Sequence, residues 1–267
     1  MIKIIIKEII KYLLTGLLIL LLLFPLYYLL LQALLYNSSI LDDKTYLVIK
    51  EWNWSNFLKA FKSNFLEAFG WTMLFATILI IIRIIVYSLA IIGLLKMKPV
   101  YQKVFLYFFI IISLIPEFSV YFSLKTVLIQ INLLTTPIAY VTNAVFSFFN
   151  FTYIFNLAKS IESEKSKVMI NDNLKWYDKL FYVYLPKMKL GYFLLIIFSF
   201  ISVWNDYLWP QFVLSDGFTN ISIWYLTLGK EQEAGTLKNV QAAGAMISIL
   251  IPLIIYMSFS RKIGRFN

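Results

Sequence analysis

The chain has 267 residues, 61% of them hydrophobic and 18% aromatic, with a mean hydropathy of +0.78; a soluble core cannot hide that much apolar side chain, so lipid is its expected solvent. Cysteine and histidine are both absent, which excludes disulfide staples, thiolate or imidazole metal sites and the usual nucleophile and base pairs. The net charge of +10 sits in lysines at the ends of apolar runs rather than on an interleaved face, so nucleic acid is not an expected partner.

Six apolar stretches, about 12–35, 70–95, 102–124, 133–157, 190–214 and 241–260, each approach the roughly 20 residues a spanning helix needs. The first follows Lys3, Lys7 and Lys11 and lacks a small-residue cleavage site, so it is expected to be a retained helix. In the gap 36–69, Ser55 is a candidate N-cap, followed by Phe57, Phe61, Phe65 and Phe69 at four-residue spacing. That pattern predicts a short helix on the outer membrane surface, with Trp52, Trp54 and Trp71 as interfacial anchors. Arg83 in the second stretch and Glu117 in the third lie in apolar surroundings, where a charge demands a partner or water. A bundle-fixing ion pair, Arg83 with Glu117 or with Asp206, is the expectation.

The segment 159–189 is too polar to insert and predicts two short helices joined at Asn173, a residue that tolerates the left-handed conformation of a sharp turn. Its second helix carries Trp176, Leu180, Val183 and Tyr184 at helical spacing and should end before Pro186. In the fifth stretch Pro210 deprives the carbonyl of residue 206 of its helical donor, so the backbone there should be irregular. Asn205, Asp206, Trp209 and Pro210 would either line a solute path or act as polar glue between helices. Trp209 and Asn205, one turn apart, form an attractive pair for stacking and hydrogen-bonding a sugar. The loop 215–240, rich in small polar residues, could reach an external partner or be a simple connector. Sixteen of the 24 basic residues fall in gaps on one side and seven on the other, with Arg83 inside a span. By the positive-inside rule both termini should be cytoplasmic, giving an all-α protein of six transmembrane helices.

The run Trp204-Asn205-Asp206-Tyr207-Leu208-Trp209-Pro210, preceded by Phe198-Ser199-Phe200-Ile201, resembles the fifth helix of permease subunits of binding-protein-dependent ABC importers, of the maltose-type carbohydrate group. Upstream, Ile161, Glu164, Asp172 and Leu185-Pro186 fit that family's cytoplasmic coupling pattern, with Asn173 at the position of its glycine. The pattern's glutamate and two alanines are replaced by Lys167, Val168 and Met169. Weaker similarities run through Tyr87-Ser88-Leu89-Ala90, Ile115-Pro116 and Asn132-Leu133-Leu134-Thr135. The resemblance implies a type I importer permease fold over the whole chain and a multi-pass place in a bacterial inner membrane. It further implies a second permease subunit, an ABC ATPase dimer that holds ATP and Mg, and an extracytoplasmic solute-binding protein or lipoprotein. No cofactor is expected in this chain. Ile161, Val168 and Met169 would press into an ATPase groove while Lys165 and Lys167 meet acids there. Other readings are a permease for glycerol-phosphate or another solute class, a non-transporting membrane scaffold derived from such a permease, and an ion-coupled carrier.

Overall fold

A computed structural model of the chain describes residues 2–42, 46–213, 218–231 and 235–263. Arg265, and residues 215–217 and 232–234 of the expected outer loop, lie outside the described residues. The protein is helical. Among the described residues the strands are β1 (Lys230–Glu231) and β2 (Gly235–Thr236), paired antiparallel with Lys230 opposite Thr236.

The apolar run that opens the chain folds as α1 (Ile2–Ala33), followed by α2 (Asn37–Leu41) and α3 (Ser55–Lys62). Ser55 is the first residue of α3 and not its cap; its hydroxyl donates to Asn53 Oδ1 at 2.6 Å. The four-residue phenylalanine ladder does not make one helix. It breaks at Asn64, in the left-handed region with φ 58°, so Phe65 and Phe69 belong to α4 (Phe65–Leu95). Next come α5 (Pro99–Ser113) and α6 (Glu117–Gln130), bent by 94° across Leu114–Pro116. Pro116 lacks an N–H and is the N-cap of α6, so the expected third span is two helices.

The expected fourth span, 133–157, is not one helix either. Asn132 takes φ 55°, residues Ala139–Ala144 form a 3-10 turn, and α7 (Phe148–Asn171) starts only where the Ser147 hydroxyl accepts from the Asn150 N–H at 3.5 Å. Then α8 (Trp176–Asp178), a π-helical stretch (Lys179–Tyr184) and α9 (Leu185–Lys187) run on as one rod, bent by 72° from α10 (Lys189–Asn205). That rod does not stop before Pro186, which stands directly after the π-helical stretch, where the helical hydrogen-bond register has already changed. The chain continues as α11 (Leu208–Val213), α12 (Ile221–Thr227) and α13 (Lys238–Ile263). Among the described residues α1, α4 and α13 are long and apolar enough to cross a membrane, and the two bent pairs raise the number to five.

Two compact units emerge. The first, Met1–Leu66 with Trp224–Ile255, is organised by the buried carbonyls that lack intrahelical donors where α1 ends. Asn56, fully buried, donates to the carbonyls of Ala33 (2.9 Å) and Leu35 (2.8 Å), and buried Asn239 donates to Leu35 O (2.9 Å) and Asn37 Oδ1 (2.8 Å). The second unit, Glu67–Ile223 with Tyr256–Asn267, holds three apolar clusters. Tyr87, Ile91, Phe151, Phe155 and Leu195 join α4, α7 and α10; Phe75, Leu79, Tyr140 and Val203 join α4, the 3-10 turn and α10; Tyr121, Leu128, Ala139 and Trp209 join α6, the 3-10 turn and α11.

Candidate functional site

The irregular backbone 139–147 lies within an apolar sequence, where a carbonyl that lacks an α-helical donor needs another partner. Three side chains from elsewhere supply the donors. Arg83, 2% exposed on α4, donates to the Ala144 carbonyl through Nε at 3.0 Å and also through Nη2, and its Nη1 donates to Ser199 Oγ at 2.8 Å. One turn on, the Tyr87 hydroxyl donates to Val145 O at 3.0 Å and accepts from the Ser147 N–H at 2.7 Å. From α11 the Trp209 indole N–H donates to Ala139 O at 2.9 Å. The expected ion pair is therefore corrected: Arg83 is satisfied by a carbonyl and a hydroxyl rather than by Glu117 or Asp206, because a planar fork suits a broken backbone.

The same broken segment faces a cavity of about 720 Å³, whose polar lining includes Arg83, Glu117, Tyr121, Asn143, Asn205 and Asp206. Glu117 sits in the first turn of α6, where the helix dipole favours a carboxylate, and accepts from the Tyr121 hydroxyl at 3.4 Å. The Asp206 carboxylate accepts from Asn143 Nδ2 at 3.1 Å and from the Trp209 N–H at 3.4 Å, so it starts α11 as well as lining the cavity. Pro210 acts as expected on its neighbour: α10 ends at Asn205, and the Asp206 carbonyl accepts instead from Asn220 Nδ2 at 2.7 Å. Asn205 is exposed to the cavity, but Trp209 is fully buried and Pro210 is buried beside it. The expected Trp209–Asn205 stacking pair is thus corrected. The helix breaks between the two residues, and the indole packs against Tyr121 with ring centroids 5.0 Å apart.

At the hairpin 159–189, α7 closes in a Schellman turn. Asn173 has φ 48°, its N–H donates to Ile170 O at 3.0 Å, and the Leu174 N–H donates to Met169 O at 3.1 Å. Two cross-hairpin bonds that the sequence pattern did not suggest join α7 to the returning rod: Tyr184 Oη donates to Glu162, and Lys187 Nζ meets Glu164 Oε1 at 2.8 Å. The Lys187 hydrogen bond, then that of Lys165 at 3.2 Å, holds the Glu164 carboxyl below its ordinary range. Lys167, Asp172 and Pro186 are exposed and Leu185 is half-buried. The apolar triplet assigned to an outside groove is corrected in part: Ile161 and Met169 are buried within the chain's own core at 4% and 1% exposure, because they face inward on α7. Val168 faces out, in company with Ile170, Trp176, Phe181 and Tyr182.

The family described as binding-protein-dependent transport system inner membrane component matches residues 88–263. A probable ABC transporter permease protein of Mycoplasma genitalium is 24% identical over 98% of this chain and 86% of that protein. A lactose transport system permease protein of Rhizobium radiobacter is 28% identical over 50% of this chain and 48% of its own length. Among solved structures, a bacterial ABC transporter involved in the import of the acidic polysaccharide alginate contains a chain that superposes with a TM-score of 0.77 at 18% identity, covering 96% of both chains. At that identity the likeness is one of fold.

Proposed function

Because this chain belongs to the binding-protein-dependent transport system inner membrane components, and is thus a permease subunit of an ABC importer rather than an enzyme, we propose that it carries carbohydrates or related hydroxyl-rich solutes. In this reading it forms half of a translocation path with a second permease subunit in a bacterial inner membrane, both termini cytoplasmic. A solute-binding protein delivers the solute, and ATP and Mg act on a separate ATPase dimer docked at the hairpin 159–189. Rocking of the two permeases would open the path alternately to each side.

The observation that carries the solute class is the lining of the 720 Å³ cavity. Amides and carboxylates at Asn143, Asn205 and Asp206 offer the directional partners that hydroxyl groups need, alongside the Tyr121 ring. A phosphorylated solute is disfavoured, since the guanidinium of Arg83 is already committed to Ala144 and Ser199. Lys167 stands where the family's pattern has a glutamate, so the cognate ATPase groove should be acidic at that point.

Solute-stimulated ATPase activity of the complex, purified through this chain, tests the reading. Stimulation is expected in the unsubstituted complex. Lys167→Glu should uncouple hydrolysis, and Asn205→Leu should weaken the solute response while leaving basal hydrolysis in place. If no ATPase co-purifies and none can be reconstituted, the altered coupling triplet marks a membrane scaffold and the importer reading fails.

A further inference from the structure

Behind the hairpin 159–189 lies a small cavity of about 180 Å³, lined by Lys96, Lys179, Glu162, Tyr184, Met188 and Leu174. Beside it runs an apolar groove of about 690 Å³ along α4 and α10, whose walls include Ile84, Ile85, Leu89, Phe193 and Ile196. Ser88, Ile92, Trp176, Leu180 and Tyr192 line both spaces, so cavity and groove adjoin along a shared wall. At their junction the hydroxyls of Ser88 and Tyr192 are 2.7 Å apart. The groove's wall on α4 repeats at four-residue spacing, Ile84, Ser88 and Ile92, and ends at Lys96 in the small cavity. At 1.5 Å per residue that stripe is ~18 Å long, close to the ~15 Å of one leaflet's hydrocarbon.

Charge selects the occupant. Among the described residues neither Lys96 nor Lys179 forms an ion pair, and the one carboxylate in the cavity, Glu162, already accepts the Tyr184 hydroxyl. Lys189 adds a third cation to the groove's lining, and Trp176, an exposed aromatic of the kind that favours headgroup depth, lines both spaces. We propose that this recess binds one anionic phospholipid, its phosphate held between Lys96 and Lys179 and one acyl chain laid along α4 and α10. A bound lipid there would wedge the returning rod of the hairpin against α4, tying the hairpin's set to the charge of the membrane.

The test is retention of added lipid by the delipidated, detergent-solubilised full-length complex, read by native mass spectrometry and needing neither solute nor ATP. Dioleoyl phosphatidylglycerol should be retained at about tenfold lower concentration than dioleoyl phosphatidylcholine. Lys96→Gln with Lys179→Gln should erase that difference without altering the elution profile, and Lys59→Gln with Lys62→Gln should leave it intact. Leu89→Trp, which fills the groove, should weaken both lipids. Equal retention of the two lipids by the unsubstituted complex, an undiminished preference in the Lys96 and Lys179 variant, or an equal loss in the Lys59 and Lys62 variant would overturn the proposal.

Discussion

Arg83 shows what a charge inside an apolar span is for in this chain. Its guanidinium replaces the helical donor that the Ala144 carbonyl lost when the backbone broke, and leaving a buried polar group without a partner costs about 1–3 kcal/mol. Arg83→Gln should therefore lower the unfolding temperature in detergent, with Arg83→Lys falling between the two, since an ammonium cannot span both acceptors. Arg83→Glu combined with Glu117→Arg should restore nothing; recovery would reinstate the ion pair. Trp209 makes the same kind of contact. Trp209→Phe keeps the ring and loses the bond to Ala139 O, so a loss of about 1 kcal/mol in stability with solute stimulation retained is expected. Abolished stimulation with normal stability would mean that the indole touches solute after all. The sequence marked both residues as unusual but gave the wrong partners. Each donates to a backbone carbonyl, Ala144 or Ala139, that is freed only by a chain break that composition does not encode.

At the scale of elements, the legible features were those with a local cause. The left-handed Asn173 and the helix break enforced by Pro210 both follow from one residue's own backbone preferences, and both stand in the structure. Asn173→Gly should be tolerated, whereas Asn173→Val should cost about 1–2 kcal/mol of stability, measured by thermal unfolding. What stayed hidden was set by contacts between elements. The apolar run 133–157 looks continuous as composition, yet its helix starts only at Phe148, and Pro186 is absorbed by a π-helical stretch. Nor did periodicity suggest the pair Glu164–Lys187. Because Glu164 titrates below its ordinary range in the fold, the clasp's contribution is present above the ordinary carboxylate value and lost as pH falls through the depressed one. Hydrogen-exchange protection factors over 160–190, corrected for the intrinsic rate at each pH, should fall in that acidic window, and Lys187→Gln should reduce the pH dependence to the part that Lys165 supports.

For the whole molecule, the motif Trp204–Pro210 carried more than the hydropathy profile did. It pointed to the family that residues 88–263 match, while counting apolar runs gave six spans where the described residues support three to five. Of the polar residues that line the cavity, Arg83, Glu117, Asn205 and Asp206 stand out in the sequence as charges or motif residues in an apolar span, whereas Asn143 and Tyr121 lie on segments whose sequence carries no such mark. The sequence distances between these partners also set a schedule for synthesis. Arg83 precedes the Ala144 carbonyl it serves by 61 residues, so that donor is waiting when the acceptor emerges. Trp209 follows Ala139 by 70 residues, which at bacterial or eukaryotic elongation speeds is a delay of roughly 4–14 s. For that interval the Thr142 hydroxyl, 2.8 Å from Ala139 O in the fold, is the nearby side-chain donor, and the second bond closes only once α11 has been made, so this end of the broken segment is finished later than the end that Arg83 serves.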